Sequence, residues 1–569
     1  MKGLQSLLQL GILCLTCMFY GQENYTHTLT TSQEKQIDSL FVDYGDPNKP
    51  GVIMAILHNN QLVYQKSFGS AAITPNTPIT KETKFQLAVM AKHFTAYAIL
   101  LLEQQQKLSV DDPLYTYVPE LANLPSSIRL KDLLRNSDGL HDYNALKRIA
   151  GKSNDVGMSN ADIIKVLKNV TSYNFEAGKD YEYTDTGMIL LTEVIKKVTG
   201  VKFSEFMRKE VFEPAGMMNT LFVDTKNTVP INVAIPYVNR NDQYVRGKIL
   251  DHVYGVSNFF STIEDLVKWE QRILNAKGQE NGRLLIKLNE LVALDTGRRF
   301  RTSLGNLTYG QQFEHKERGL SSTYHTGSYS GYASSMFRFP DQNYAAIVLS
   351  NNGLEYNGYF GVLAAHILLE DQFTEPTSID INTLDIKPIT SQELQKYAGN
   401  YWDQKGGFYR KLEVKNDTLH YVRTNGYVSP LVHLGNHKFQ MVLDWDDKIF
   451  ITFSTDYKTF DFVNGEAEPI RFERFVWNEI TEDKAKAYVG TYYCEDLQIG
   501  YDIAFQNNQL IMKSIHNEDV VLTPIMKELF HGDQWYMRSI TFKRNPKNSV
   551  LGYYTSMSDL NGVWFKRIE

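Results

Sequence analysis

The chain has 569 residues, too many for one hydrophobic core, so two to four domains are expected. Apolar residues make up 43% and charged residues 22%, a globular balance that excludes disorder, collagen-like repeats and coiled coil. The net charge of −6, from 59 Lys+Arg against 65 Asp+Glu, supplies no bulk attraction to nucleic acid.

Lys2 precedes an apolar stretch from Leu4 to Phe19, with small Gly21 just beyond it. That layout predicts a signal peptide over residues 1–22 and an exported, periplasmic or secreted bacterial protein. No other stretch approaches the roughly 20 apolar residues of a membrane helix, so no membrane span is expected. Cys14 and Cys17 lie inside the leader; Leu15 and Thr16 fit a lipid-anchor signal at Cys17 poorly. Only Cys494 would remain after cleavage, which excludes an intramolecular disulfide and a cysteine-based metal site.

The apolar run Val52–Leu57, the turn His58-Asn59-Asn60 and Leu62-Val63-Tyr64 predict a strand, a turn and a second strand. Residues 85–270 read mostly as helix: Phe94, Ile99, Leu100 and Leu101 keep helical spacing, as do Leu190, Leu191, Val194 and Ile195 before Gly200. Strands return at 331–350, on either side of a turn at Pro340–Asn343, and a last helix carries Val362, Ala365, Ile367 and Leu368. A helical block between two groups of strands predicts one sheet built from both ends of an α/β domain, over residues 23–375.

Pro376 and Pro388 bound a polar linker at 376–390. Beyond it an internal repeat appears: Tyr397-Ala398-Gly399-Asn400-Tyr401 returns as Tyr488-Val489-Gly490-Thr491-Tyr492, and Leu419 as Leu510. Ile451-Thr452-Phe453 returns as Ile540-Thr541-Phe542, and Phe472 as Phe565. Two small tandem all-β domains, barrels or sandwiches, are expected at 391–476 and 477–569.

Five ordered motifs carry the chemistry. Phe85-Gln86-Leu87-Ala88-Val89-Met90-Ala91-Lys92-His93-Phe94-Thr95 resembles the Ser-x-x-Lys helix start of the serine β-lactamase and penicillin-binding-protein hydrolases, with Val89 at the serine. Leu133-Leu134-Arg135-Asn136-Ser137-Asp138-Gly139-Leu140-His141-Asp142-Tyr143 resembles the family's Leu-Leu-x-His-x-Ser-Gly-Leu loop, with Asn136 and Asp138 as departures. Tyr183-Thr184-Asp185-Thr186-Gly187 resembles its Tyr-Ser-Asn-x-Gly, with Asp185 in place of Asn. Ser261-Thr262-Ile263-Glu264-Asp265-Leu266 resembles a family helix start, and His325-Thr326-Gly327 resembles the His-x-Gly strand of the class C, β-lactamase-related branch. The likeness spans about residues 35–370 and implies a serine β-lactamase-like domain, an antiparallel sheet flanked by helices plus a helical lobe.

In that family serine attacks a carbonyl while Lys and Tyr manage its proton. The resemblance therefore places Lys92 and Tyr183 at acid–base positions, and Asp185, His325, Thr326, Gly327 and Ser328 beside the substrate. Valine has no atom that can attack. Asp185 near Lys92 would pair with the ammonium and keep it charged, the wrong state for a general base. Taken alone, Lys92 would read as a helix lysine snorkelling to solvent, and His325 as a structural histidine. Ser32-Gln33-Glu34-Lys35 repeats the spacing before the first strand, without an apolar helix after it.

No His or Cys spacing suggests a metal, and no glycine-rich loop suggests a phosphate cofactor; none is expected. The leading expectation is a family member impaired in acyl-enzyme catalysis whose cleft still binds an ester, amide or peptide-like small molecule. The alternatives are a hydrolase using another nucleophile or water, and a protein that binds glycan, peptide or protein through its β-domains.

Overall fold

The computed structural model describes residues 29–568 except 126, 153–157, 224–229, 242, 249–252, 279–281, 303, 354–356, 445–446 and 479. The N-terminal stretch expected to be a signal peptide, with Cys14 and Cys17, lies outside the described residues.

Strand β1 (Val52–His58) is buried along its whole length, as a continuous apolar run must be when both faces of its sheet are covered. Its alternate side chains divide two cores. Val52, Met54 and Ile56 pack with Ile37 of α1 (Thr31–Ser39) and with Val362 and Ala365 of a C-terminal helix. Ile53, Ala55 and Leu57 face the opposite way, into the larger core with α2 (Ala91–Gln104). Period-2 alternation thus sorts one strand between two helical layers.

The sheet is antiparallel and has eight strands. Beside β1 lies β2 (Gln61–Phe68). Chain order then passes α3 (Tyr143–Ile149), α4 (Thr186–Thr199, ended by left-handed Gly200) and α5 (Ile263–Leu274). It resumes with β3 (Arg301–Thr302), β4 (Gly305–Leu307), β5 (Phe313–Glu317), β6 (Leu320–Tyr329), β7 (Tyr332–Phe339) and β8 (Tyr344–Ser350), followed by α6 (Asn357–Leu368). The spatial order is β3-β4-β5-β6-β7-β8-β1-β2. Val52 therefore pairs with Ser350, and both ends of the domain share one sheet as the sequence implies.

Strands begin at Arg301, thirty positions before the start expected from the sequence. The run Leu320–Tyr329 is rich in Ser, Thr and His, and places polar residues such as Ser322 and His325 at buried positions. Hydrogen bonds hold those groups, Ser322 Oγ donating to the His315 carbonyl at 3.2 Å, so no apolar alternation marks the strand.

The two β-repeats are closed eight-stranded barrels, from Gly399–Asp403 to Ile470–Phe475 and from Gly490–Cys494 to Leu560–Arg567. The repeated Tyr-x-Gly-x-Tyr has a physical reason. The second tyrosine is fully buried and its hydroxyl donates to the carbonyl of the first, Tyr401 to Tyr397 at 2.9 Å and Tyr492 to Tyr488 at 2.8 Å. An arginine of the closing strand clamps the same turn: Arg474 donates to the Lys396 carbonyl, and Arg567 to those of Ala487 and Val489. Gly399 has φ +156°, a conformation that residues with a Cβ rarely adopt, and a Cβ there would also lie 2.8 Å from the clamping Arg474 guanidinium.

The second barrel is continuous with the main core. Tyr501 donates to the Ile149 carbonyl at 2.9 Å, and Asn517 to that of Arg148 at 2.8 Å, both at the end of α3.

Between sheet and helix layer, Arg338 of β7 meets Glu270 of α5, both without solvent exposure, with one contact at 2.7 Å. Removing one partner strands the other charge. Glu270→Ala should lower stability by about 3–5 kcal/mol in urea unfolding; a loss under about 1 kcal/mol would show the pair contributes as little as a surface ion pair.

Candidate active site

The site begins where Phe85-Gln86 pairs with Phe260 and Ser261 and the chain turns into α2. Ala88, inside that turn, has φ +47°, a left-handed conformation that costs a residue with a Cβ about 1–3 kcal/mol. Strands β6 and β7 hold it there. A Cβ on Gly327 would lie 2.5 Å from the Leu87 carbonyl, and Ser334 Oγ donates to that carbonyl at 3.0 Å. Val89 is half-buried in the resulting 3-10 turn, and Lys92 follows one turn on.

Lys92 has 0% exposure. Its Nζ lies 2.7 Å from Asp185 Oδ1, donates to the Thr184 carbonyl at 3.0 Å, and sits 3.6 Å from the centre of the Tyr183 ring. Burial alone would lower the Lys92 pKa, but the Asp185 carboxylate and then Tyr183 outweigh it and hold it above the ordinary amine value. Tyr183 is pushed upward, by burial first. Its hydroxyl is 3.3 Å from Nε2 of His325, whose pKa falls well below the usual imidazole range through burial and then the Lys92 charge. The site therefore holds a charged lysine, a neutral tyrosine and a neutral histidine.

Asp185 stands just before α4, where its N–H donates to Asp142 Oδ2 at 2.9 Å and its Oδ2 accepts from Asn144 at 3.3 Å. Asp142 in turn caps α3, accepting from the Asn144 N–H at 2.8 Å. Asn136 supports the same loop: its Oδ1 accepts from the Thr184 N–H at 3.3 Å, and its Nδ2 donates to Gln311 at 2.9 Å. Asp138 is buried, and burial raises its carboxyl to about 7.

A cavity of about 570 Å³ opens beside this cluster. Tyr183 and Asp185 line it with Tyr329 and Ser330 from the end of β6, and the second barrel adds Trp535 and Asp559. Lys92 lies behind Tyr183 and Asp185. Val89, His325, Thr326, Gly327 and Ser328 are not among its lining residues: His325 and Gly327 point inward, while Thr326 and Ser328 are exposed. From His325 onward β6 is paired only with β7, since β5 stops opposite Tyr324. Asp142 lies near the end of the Leu133–Tyr143 loop motif without a role assigned to it there, and Asn144, Lys248, Tyr329, Ser330, Trp535 and Asp559 belong to none of the motifs. Trp535, 41% exposed in the turn after Gly532-Asp533-Gln534, carries no sequence signal that would mark it. Among the described residues no group of three or more His, Cys, Asp or Glu has the geometry to hold a metal ion.

The sheet, its helical layers and the Lys92–Tyr183 cluster define a β-lactamase-type domain. The Beta-lactamase family model matches residues 37–368, more than half of the sequence, and the chain belongs to that family. It is 26% identical over 400 residues to penicillin-binding protein 4* of Bacillus subtilis, covering 66% of this chain and 84% of that one. It is 25% identical over 311 residues to a D-aminopeptidase of Brucella anthropi, covering 53% of this chain and 56% of the relative. The octameric penicillin-binding protein homologue from Pyrococcus abyssi has the same fold, with TM-score 0.53 at 20% identity over 77% of this chain and 99% of that one.

Asp185→Ala should strand the Lys92 ammonium and cost about 3–5 kcal/mol. The pH dependence should also change sign. With Asp185 present, the raised Lys92 pKa adds stability that is full below about 10.4 and fades as pH climbs through the folded value. Without it, burial lowers the folded value beneath the unfolded one, so this lysine's contribution grows as pH rises between the two. Urea unfolding of both proteins from pH 7 to 10 measures it; parallel curves would show that Asp185 does not set the Lys92 charge.

Proposed function

We propose that this is an exported member of the family, impaired in acyl-enzyme catalysis, that retains its cleft for binding an ester, amide or peptide-like ligand. One observation carries the reading: Lys92, one turn after Val89, is locked at 2.7 Å to Asp185. Val89 offers no nucleophile, and an ammonium in an ion pair cannot accept a proton. Lys92 and Tyr183 occupy the family's acid–base positions, while Asp185 and the His325–Ser328 strand flank the substrate path. The surviving cavity lies beyond Tyr183, toward the second barrel, so a ligand held there rests away from Val89. The names of the penicillin-binding and D-aminopeptidase relatives support the ligand class. The apolar leader Leu4–Phe19 supports export, and among the described residues no helix is long and apolar enough to cross a membrane. The units at 23–375, 391–476 and 477–569 form this protein's working domains, joined by the linker at 376–390.

A second reading rests on the 3.3 Å contact between the Tyr183 hydroxyl and a neutral His325, which has an acceptor nitrogen to offer a nucleophilic tyrosine. Burial opposes it, because the same environment disfavours the phenolate.

Penicillins and fluorophosphonates should leave the protein unlabelled by mass spectrometry; a stoichiometric adduct on Tyr183 would establish the second reading instead. Val89→Ser should acquire slow acylation by an activated ester, since a missing nucleophile typically costs about a thousandfold or more. Deacylation should stay poor until Asp185→Asn is added, and Asp185→Asn alone, with Val89 in place, should give no measurable ester turnover. A folded double variant with neither adduct nor turnover would show that more than the serine has been lost.

A further inference from the structure

The second barrel does more than adjoin the cleft. The turn between its last two strands, Val550–Met557 and Leu560–Arg567, reaches the helical lobe at Asp559. The Asp559 carbonyl accepts from the Asp142 N–H and from Asn174 Nδ2, each at 3.0 Å. Asn561 N–H donates back to Asn174 Oδ1 at 2.7 Å. Asp142 also accepts from the Asp185 N–H, so one residue takes hold of the barrel through its own N–H and of the Lys92 partner through its carboxylate. The hydrogen-bonded path Lys92, Asp185, Asp142, Asp559 runs unbroken from the helix α2 lysine to the barrel turn.

We propose that Asp142 is a positioning residue that couples the seating of the second barrel to the Lys92–Asp185 ion pair. The coupling rests on the binding reading only for what fills the cleft, because the path exists without a ligand. Its currency is charge. Asp142 faces Asp185 from the α4 start and Asp559 from the barrel; Asp559 also faces Glu182 and Arg538, and Glu182 is met by Lys405 of the first barrel at 3.1 Å. Lys92 neutralises Asp185, and Lys248 reaches the cavity rim. Nearby His141 is lowered to about 4, chiefly by burial, and stays neutral above that. No cation bridges Asp142 to Asp559 in these contacts, and Asp559 Oδ1 is buried with no hydrogen-bond partner among the described residues. Burial, then like charges, raises Asp142 to about 7 and Asp559 to about 6.

The sign follows. Carboxyls raised above their free value of about 3.9 bind more protons with the barrel seated than with it released. Seating is therefore firmest below that value and weakens as pH rises through 6 and 7. Linkage is reciprocal, so anything that disturbs the Asp185 N–H contact also loosens the barrel turn.

Hydrogen exchange by mass spectrometry on the full chain tests this at segments 140–146, 183–187 and 556–562 from pH 5 to 8, corrected for the intrinsic pH dependence of exchange. Protection of 556–562 should fall by about tenfold or more across that range. Asp142→Asn can keep the helix cap with its one amide oxygen but removes the charge and the second acceptor, and should make the profile shallower, leaving the part that belongs to Asp559. Asp142→Ala should lower protection of both 556–562 and 183–187 at every pH. If Asp142→Ala does not fold, Asp559→Asn must make the profile shallower in its place, leaving the part that belongs to Asp142. A flat wild-type profile, or a neutral variant that tracks wild type, overturns the proposal. So does an Asp142→Ala protein that opens 556–562 but leaves 183–187 unchanged. Acylation assays do not bear on these outcomes, so the binding reading and the coupling stand or fall separately.

Discussion

A lysine ammonium with no exposed surface has to be neutralised where it stands, and most of the candidate site follows from that requirement. Lys92 is fixed by the helix that begins at Ala91, and its counter-charge comes from the loop ahead of α4. That loop is held by Asn136 and Asp142, which belong to a second loop, and Asp142 is held by a barrel turn. Leaving the ammonium unpaired would cost several kcal/mol, comparable to much of the net stability of a typical domain. Each layer outward therefore exists under the constraint of the one inside it.

The lysine is neutralised by a carboxylate, which favours its charged form over the free amine. A general base must shed its proton, and here the proton is retained by an ion pair with a hydrogen-bonded carbonyl behind it. The turn at Ala88 keeps its left-handed strain even though Val89 has no chemistry to perform. The packing of Gly327 and Ser334 against Leu87 explains this: the turn's shape is imposed by β6 and β7, and does not depend on which side chain follows it.

The Lys92–Asp185 pair was legible in the sequence because both residues lie in short motifs whose spacing sets their positions. The shared sheet was legible for a similar reason, since Val52–His58 and Tyr344–Ser350 are uninterrupted apolar runs. The barrels announced themselves through Tyr-x-Gly-x-Tyr, where each residue serves one local hydrogen bond or one close approach. Strand β6 was marked only by the resemblance of His325-Thr326-Gly327 to a family strand, and not by periodicity, because its buried positions are polar and satisfied by neighbours that only the folded sheet supplies. Trp535 and Asp559 stayed hidden because nothing local ties a barrel turn to a helix cap on another domain.

The Asn174–Asp559 contact spans 385 positions of chain. During synthesis at about 5–20 residues per second, the helical lobe would wait tens of seconds for the barrel that completes its wall. Over that interval Asp142 lacks the carbonyl that its N–H will later meet, and the apolar face that receives Tyr501 and Ile499 stays uncovered. Assembly of the cleft is thus a late, long-range event, and the nascent lobe is the stage at which a chaperone has most surface to hold.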